Sequence, residues 1–174
     1  MAIFDGHNDL LLNLWLHHRE DPVNAFFAGI ENGHLDYPRI RQGGLAGGLF
    51  ALFVPPQEYI ARVAPQYASQ AWDPLTILWQ QLAILKAICA HGASRARLCL
   101  SAADIERCRQ DNALAMVAHI EGAGGFDAQG DDLQAFYRAG VRSMGPFWNI
   151  ANRFGCGVTG AFPGSPDSGP GLTG

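Results

Sequence analysis

The sequence predicts an α/β fold built on a parallel sheet, and three observations carry that prediction. The apolar runs LAGGLFALFVPP (residues 45–56) and ALAMVAHIEG (residues 113–122) are nearly unbroken, as strands buried on both faces are. Segments with helical periodicity and recognisable start and stop residues lie between the strand-like runs. The two kinds of segment alternate along the chain, which calls for crossovers joining parallel neighbours.

Residues 3–10 read as the first strand, with the polar His7 and Asp9 near its C-terminal end. Residues 10–30 are mixed and give no clear period. In HLDYPRIRQGG, Asp36 at the N-cap, Pro38 near the first turn and Gly43 as the stop predict a short helix. The second strand follows and is closed by Pro55 and Pro56. Residues 72–90 carry Leu75, Leu78, Trp79, Leu82, Leu85, Ile88 and Cys89 at amphipathic spacing, with Asp73 and Pro74 to start the helix and Gly92 to stop it. ARLCLS is a short third strand. Ser101 and Asp104 stand in capping-box spacing at the head of a helix over residues 101–110. The fourth strand, ALAMVAHIEG, a helix over residues 131–139 and a fifth strand, GVRSMGPFW, complete the series.

Two architectures fit this order: a doubly wound sheet, or the first five strands of a (β/α)8 barrel. A barrel needs eight strands and at least about 200 residues, so 174 residues supply part of one. Residues 145–174 are dense in Gly, Pro, Ser and Asn and stop at GPGLTG with no terminal helix or strand. That ending reads as a cut through a longer domain.

Composition narrows the function classes. The chain is 48% hydrophobic and 16% charged, which is globular rather than disordered. A net charge of −4 offers no basic footprint for nucleic acid or an anionic membrane. No apolar run approaches a bilayer span, and no basic segment precedes the first apolar run as in a signal peptide. A cytoplasmic protein is the expectation. Cys89, Cys99, Cys108 and Cys156 have neither zinc-site spacing nor the density of a disulfide scaffold, and read as reduced, mostly buried thiols.

In a parallel α/β fold functional groups gather at the C-terminal ends of the strands. His7 and Asp9 lie there on the first strand, and their i, i+2 spacing points both to one face. Glu121 lies at the same end of the fourth strand, with glycines behind it. One imidazole and two carboxylates at one rim suit a divalent ion such as zinc or manganese. Against this, H-x-D recurs by chance, and a glutamate at that place can cap a following helix. His119 shares the face of Glu121 and reads as a core histidine before a supporting one. His17 and His18 read as a solvated face, and His34 and His91 as surface residues. The Gly-Gly pairs at 43–44, 47–48 and 124–125 lack a phosphate-loop frame and read as tight backbone turns. No G-x-S-x-G elbow is present.

Five ordered motifs carry a family likeness: FDGHNDLL, HLDYPRIRQGGLAGGLFALFVP, AMVAHIEGAGG, RAGVRSMGPFWNIANRFGCGV and FPGSPDSGPGLTG. Together they resemble the membrane dipeptidase (renal dipeptidase) family of zinc peptidases, in particular its soluble bacterial branch. The likeness runs nearly end to end and is looser between about residues 57 and 110. It implies a single (β/α)8 barrel domain of which residues 1–174 are the N-terminal portion, carrying two zinc ions. By the same resemblance His7 and Asp9 ligate one zinc and Glu121 bridges both, placing Glu121 in the catalytic step. A water between the ions would attack a dipeptide carbonyl. The remaining histidines, an aspartate and a carboxylate-binding arginine come from the family's second half.

Trp148 stands where animal members have a substrate-polarising histidine, and Asn149 follows it, so both are expected at the substrate. The resemblance also implies a dipeptide as the binding partner. Family members often dimerise, so a homodimer is an expectation as well. Residues 1–174 alone are expected to have little or no activity. A second reading stays open at this stage: a non-catalytic or degenerate α/β binding module of the same fold. A doubly wound nucleotide-binding domain is disfavoured by the missing phosphate loop.

Overall fold

Five strands form in the expected segments: β1 (Ile3–Asn8), β2 (Leu45–Phe53), β3 (Ala96–Leu98), β4 (Leu114–Glu121) and β5 (Val141–Gly145). Among the described residues seven α-helices accompany them: α1 (Leu10–His17), α2 (Pro22–Ala28), α3 (Tyr37–Gly43), α4 (Gln57–Val63), α5 (Pro74–His91), α6 (Ala102–Gln110) and α7 (Asp131–Ala139), with one 3-10 turn at Pro65–Tyr67. The computed structural model describes residues 2–127, 129–148, 150–155 and 172. Every strand pairing is parallel, as the alternation required.

The start signals in the sequence are made by the side chains that the pattern named. Asp36 accepts from the Arg39 N–H, Asp73 from the Thr76 N–H and Ser101 from the Asp104 N–H. Each satisfies a donor that the first helical turn leaves without an intrahelical partner. Three helices fall outside the sequence reading. α1 buries six of its eight residues, from Leu10 to Leu16 with only Asn13 between, so no polar stripe marks it. α2 and α4 are seven residues each, too short for a period to stand out.

The strand order is β1-β2-β4-β3, with β5 also on β4. β3 pairs only with the first residues of β4, at Leu114 to Met116, while β5 takes the later ones from Ala118 to Glu121. Both lie on the side of β4 away from β2. The short strand therefore sits below β5 rather than as a full stave between β2 and β4. β1 and β4 are thus separated by β2 alone, about 10 Å at two strand spacings.

The core is continuous across the sheet and the helices α1 and α5, with Trp15, Phe26, Phe50, Leu78 and Phe136 fully buried. Gly47 lies inside β2, where a Cβ would stand 2.6 Å from the Ala115 carbonyl oxygen. The pair at 47–48 thus serves close strand approach rather than a turn, whereas Gly44 ends α3 in the left-handed conformation at φ 71°, a position glycine tolerates without strain. Cys89, Cys99 and Cys108 are free thiols, and burial pushes Cys89 and Cys99 up to about 12. Cys156 lies outside the described residues.

Gln81 on α5 is a fully buried polar side chain. Its amide accepts from the Phe53 N–H at 2.8 Å and donates to the Phe53 carbonyl at 2.7 Å. β1 leaves the sheet after Asn8 pairs with Phe50, so Gln81 takes the place of a strand partner at the end of β2. Gln81→Leu would strand both backbone groups, and is expected to cost roughly 2 kcal/mol. A lower urea midpoint at unchanged slope is the measurement that checks it.

Candidate active site

His7, Asp9 and Glu121 converge at the C-terminal rim of the sheet. His7 Nε2 lies 3.5 Å from an Asp9 carboxylate oxygen and 3.6 Å from a Glu121 oxygen, and one donor atom from each falls within 4.8 Å of the others. The chain builds this in three local steps.

First, β1 carries an irregularity between Asp5 and Asn8: three residue steps on β1 span two on β2, from Gly48 to Phe50. Asp5 accepts from the His7 N–H and from the Asn8 amide, and Asn8 also donates to the Leu49 carbonyl. These bonds fix the bulge that aims His7. Second, Asp9 is not the last strand residue but the N-cap of α1, and its side chain makes no cap hydrogen bond. A carboxylate that ordinarily satisfies the first helical turn is left facing His7. The pair meets at a strand-to-helix junction, not by simple alternation along a strand. Third, Glu121 ends β4 and Gly122 follows at φ 89°. The Gly122 and Ala123 N–H groups donate to the Gly145 and Pro146 carbonyls, so the turn behind Glu121 is pinned to the end of β5.

The electrostatics fit a cation. Burial pushes the Glu121 carboxyl up, His7 pulls it down, and the neighbouring Asp9 charge pushes it up again. Two carboxylates beside one imidazole leave an excess of acceptors with no cation among the described residues that contact them. For metal–ligand distances of about 2.0–2.2 Å, tetrahedral neighbours stand about 3.3–3.6 Å apart. The two His7 separations match that spacing. The donor set accommodates a divalent ion.

His119 is neither core nor ligand in this arrangement. It is half-buried, its Nδ1 is 2.8 Å from the Ser143 hydroxyl, and its ring stands edge-on to His7 at 6.4 Å between centroids. His34 and His91 are exposed, as expected of surface residues.

An open cleft of about 780 Å³ lies against the triad, walled by Leu12, Phe53, Pro56, Glu58, Tyr59, Arg62, Trp148 and Ile150. Trp148 is 51% exposed and packs edge-on to Phe53 at 5.9 Å, which puts it at the cleft. Asn149 lies outside the described residues. Sequence reasoning missed Leu12 and the α4 residues. Pro55-Pro56 ahead of Ile60 and Val63 was the available signal for α4, since a proline marks a first turn.

A rim-facing imidazole and two carboxylates at one end of a parallel sheet are the donor set of a candidate metal site in an α/β protein. The comparisons with known proteins specify it. The sequence profile of the membrane dipeptidase family (peptidase family M19) matches residues 1–174. A crystal structure of a metallo peptidase from Rhodobacter sphaeroides, liganded with a phosphinate mimic of L-Ala-D-Ala, is similar at 34% identity and a TM-score of 0.87. It covers 99% of this chain and 53% of that one. The crystal structure of a metallo peptidase described as dipeptidase AC is similar at 33% identity and a TM-score of 0.86, covering 99% and 52%. An uncharacterized protein from the PQQ-III 3' region of Acinetobacter calcoaceticus is 40% identical over 182 residues, covering 99% of this chain and 57% of that protein.

The chain belongs to the membrane dipeptidase family. It spans about half the length of the relatives it matches. No helix among the described residues is long and apolar enough to cross a membrane.

Proposed function

We propose that residues 1–174 are the N-terminal portion of a single (β/α)8 metallo-dipeptidase domain, and that the complete protein hydrolyses dipeptides with two zinc ions in its active site. The convergence of His7, Asp9 and Glu121 on one cleft, in a chain of this family, carries the reading.

In it, His7 and Asp9 would hold one ion and Glu121 would help to hold both. The ion pair, when bound, acidifies a water and polarises the scissile carbonyl. The contribution of the chain itself is positional. Asp5 and Asn8 keep the His7 backbone in its bulge, and the His119–Ser143 contact holds the imidazole packed against His7. Phe53, Trp148 and Ile150 present an apolar wall that would shield one side of the substrate from water. Trp148 and Asn149 are assigned to substrate contact in this reading. Cytoplasmic location and homodimer formation belong to the same proposal.

The test is direct. The full-length protein, purified with zinc, is expected to carry two zinc ions per chain by mass spectrometry. It should also release both amino acids from a simple dipeptide, and chelation should abolish this. A zinc-replete protein with no hydrolysis across a dipeptide panel would overturn the reading. Residues 1–174 alone are expected to show little or no turnover, because three donors cannot hold two ions in a closed coordination shell.

A further inference from the structure

The cleft beside the triad contains one guanidinium. α4 contributes Glu58, Tyr59 and Arg62 to its wall, and Arg62 is the sole lysine or arginine among the described residues that line it. Arg39, Arg97, Arg107 and Arg109 are each paired with a carboxylate. Among the described residues Arg62 has no carboxylate partner, as Arg95 and Arg142 have none, but Arg62 stands at the cleft. Glu58 stands at i, i+4 from Arg62, the spacing at which such a pair ordinarily forms on a helix, yet no ion pair joins the two. The Arg62 guanidinium instead lies 5.4 Å from the centre of the Tyr59 ring, a contact that occupies none of its N–H donors. Arg62 is exposed, so the charge is available to a molecule entering the cleft.

We propose that Arg62 is a specificity-determining residue that receives an acidic side chain of the substrate. On this assignment the complete enzyme prefers dipeptides containing aspartate or glutamate over neutral ones. The inference rests on the dipeptidase reading and deepens it. Three features carry the assignment. A planar guanidinium accepts a carboxylate through two parallel N–H donors, a match that a neutral side chain cannot make. Apart from the triad, the polar groups on the cleft wall are Glu58, the Tyr59 hydroxyl and Arg62, and of these Arg62 alone carries a positive charge. Arg62 lines the same cleft as His7, Asp9 and Glu121, so the guanidinium and the candidate reaction centre face one substrate space. Glu58 tempers the preference by repelling the same carboxylate.

The experiment measures kcat/KM of the full-length zinc enzyme on Ala-Ala, Ala-Asp, Asp-Ala, Ala-Asn and Asn-Ala, in wild type and in Arg62→Ala, Arg62→Glu and Glu58→Gln. The readout is the ratio of the acidic dipeptide to its amide counterpart, which cancels any loss of folded enzyme. Wild type is expected to favour the acidic member at one of the two positions. Arg62→Ala should lower that ratio by roughly 10- to 100-fold, the value of a charge-assisted hydrogen-bonded pair. Arg62→Glu should lower it further, and Glu58→Gln should raise it.

An acidic-to-amide ratio unchanged by Arg62→Ala at both positions overturns the assignment while leaving the dipeptidase reading intact. So does a wild-type preference for the amide at both positions. Absence of hydrolysis of all five dipeptides by the zinc-loaded wild type would instead remove the dipeptidase reading and, with it, this inference.

Discussion

Glu121→Gln is expected to lower kcat of the full-length protein on its best dipeptide by about 10³-fold or more, with loss of bound zinc. On the proposed assignment Glu121 would contribute charge to two ions at once, and the transition-state stabilisation that depends on such ions is worth several kcal/mol. The amide keeps the size and shape of the side chain but cannot carry that charge. The fold should not suffer. The Glu121 side chain is only 18% exposed, so replacing a partly desolvated carboxylate with a neutral group removes a burial cost. Metal-free Glu121→Gln is therefore expected to unfold at the same urea concentration as metal-free wild type or a higher one. Activity measured beside zinc content checks the first part, and the unfolding midpoint the second. A variant that keeps two zincs and wild-type kcat would remove Glu121 from the site.

The largest effect on stability is expected from Asp36→Ala, at about 3 kcal/mol. Asp36 is 1% exposed. It accepts from the Ile30 N–H at 3.0 Å and the Arg39 N–H at 2.9 Å, and it pairs with the Arg39 guanidinium. Arg39 in turn donates to the Ile30 carbonyl. Truncation removes the α3 cap, strands a buried N–H and leaves a guanidinium without its carboxylate, each a recognised cost.

The pH dependence follows the same bonds. Burial by itself raises the Asp36 carboxyl, but the two backbone donors and the Arg39 charge outweigh it and hold the group below the usual carboxylate range. A carboxyl lower in the folded than in the unfolded chain stabilises fully above its unfolded value, near pH 4. That contribution is lost as pH falls through the lower folded value. The difference in unfolding free energy between wild type and Asp36→Ala should therefore be constant at neutral pH and shrink below about pH 4. A difference independent of pH down to acid would contradict it.

The apolar runs and cap residues made most of the framework legible. Two buried strands announce themselves by composition, and Asp36, Asp73 and Ser101 mark helix starts that the structure makes with those side chains. α1 escaped because a helix buried nearly all round has no period to read. The candidate ligands were legible for a different reason: strand ends in a parallel sheet share one rim, so polar residues there become neighbours. The α4 residues carried no such mark, because a seven-residue helix after a proline pair looks like loop in one dimension. Arg62 is visible as a recognition group only once α4 is placed on the cleft.

By itself the sequence determined the parallel α/β class and the run of strands, and it pointed to three candidate donors at or just beyond the strand C-terminal ends. These follow from local chemistry: hydrophobic patterning, capping and the direction in which strands run. The tertiary structure alone decided that the donors meet. β3 pairs low on β4 and leaves β2 as the one strand between His7 and Glu121, and Asp9, which makes no cap bond to α1, stands 3.5 Å from His7. The approach of His7 to Glu121 rests on the β1–β2 and β2–β4 pairings, each across more than forty residues of chain, which no local pattern encodes.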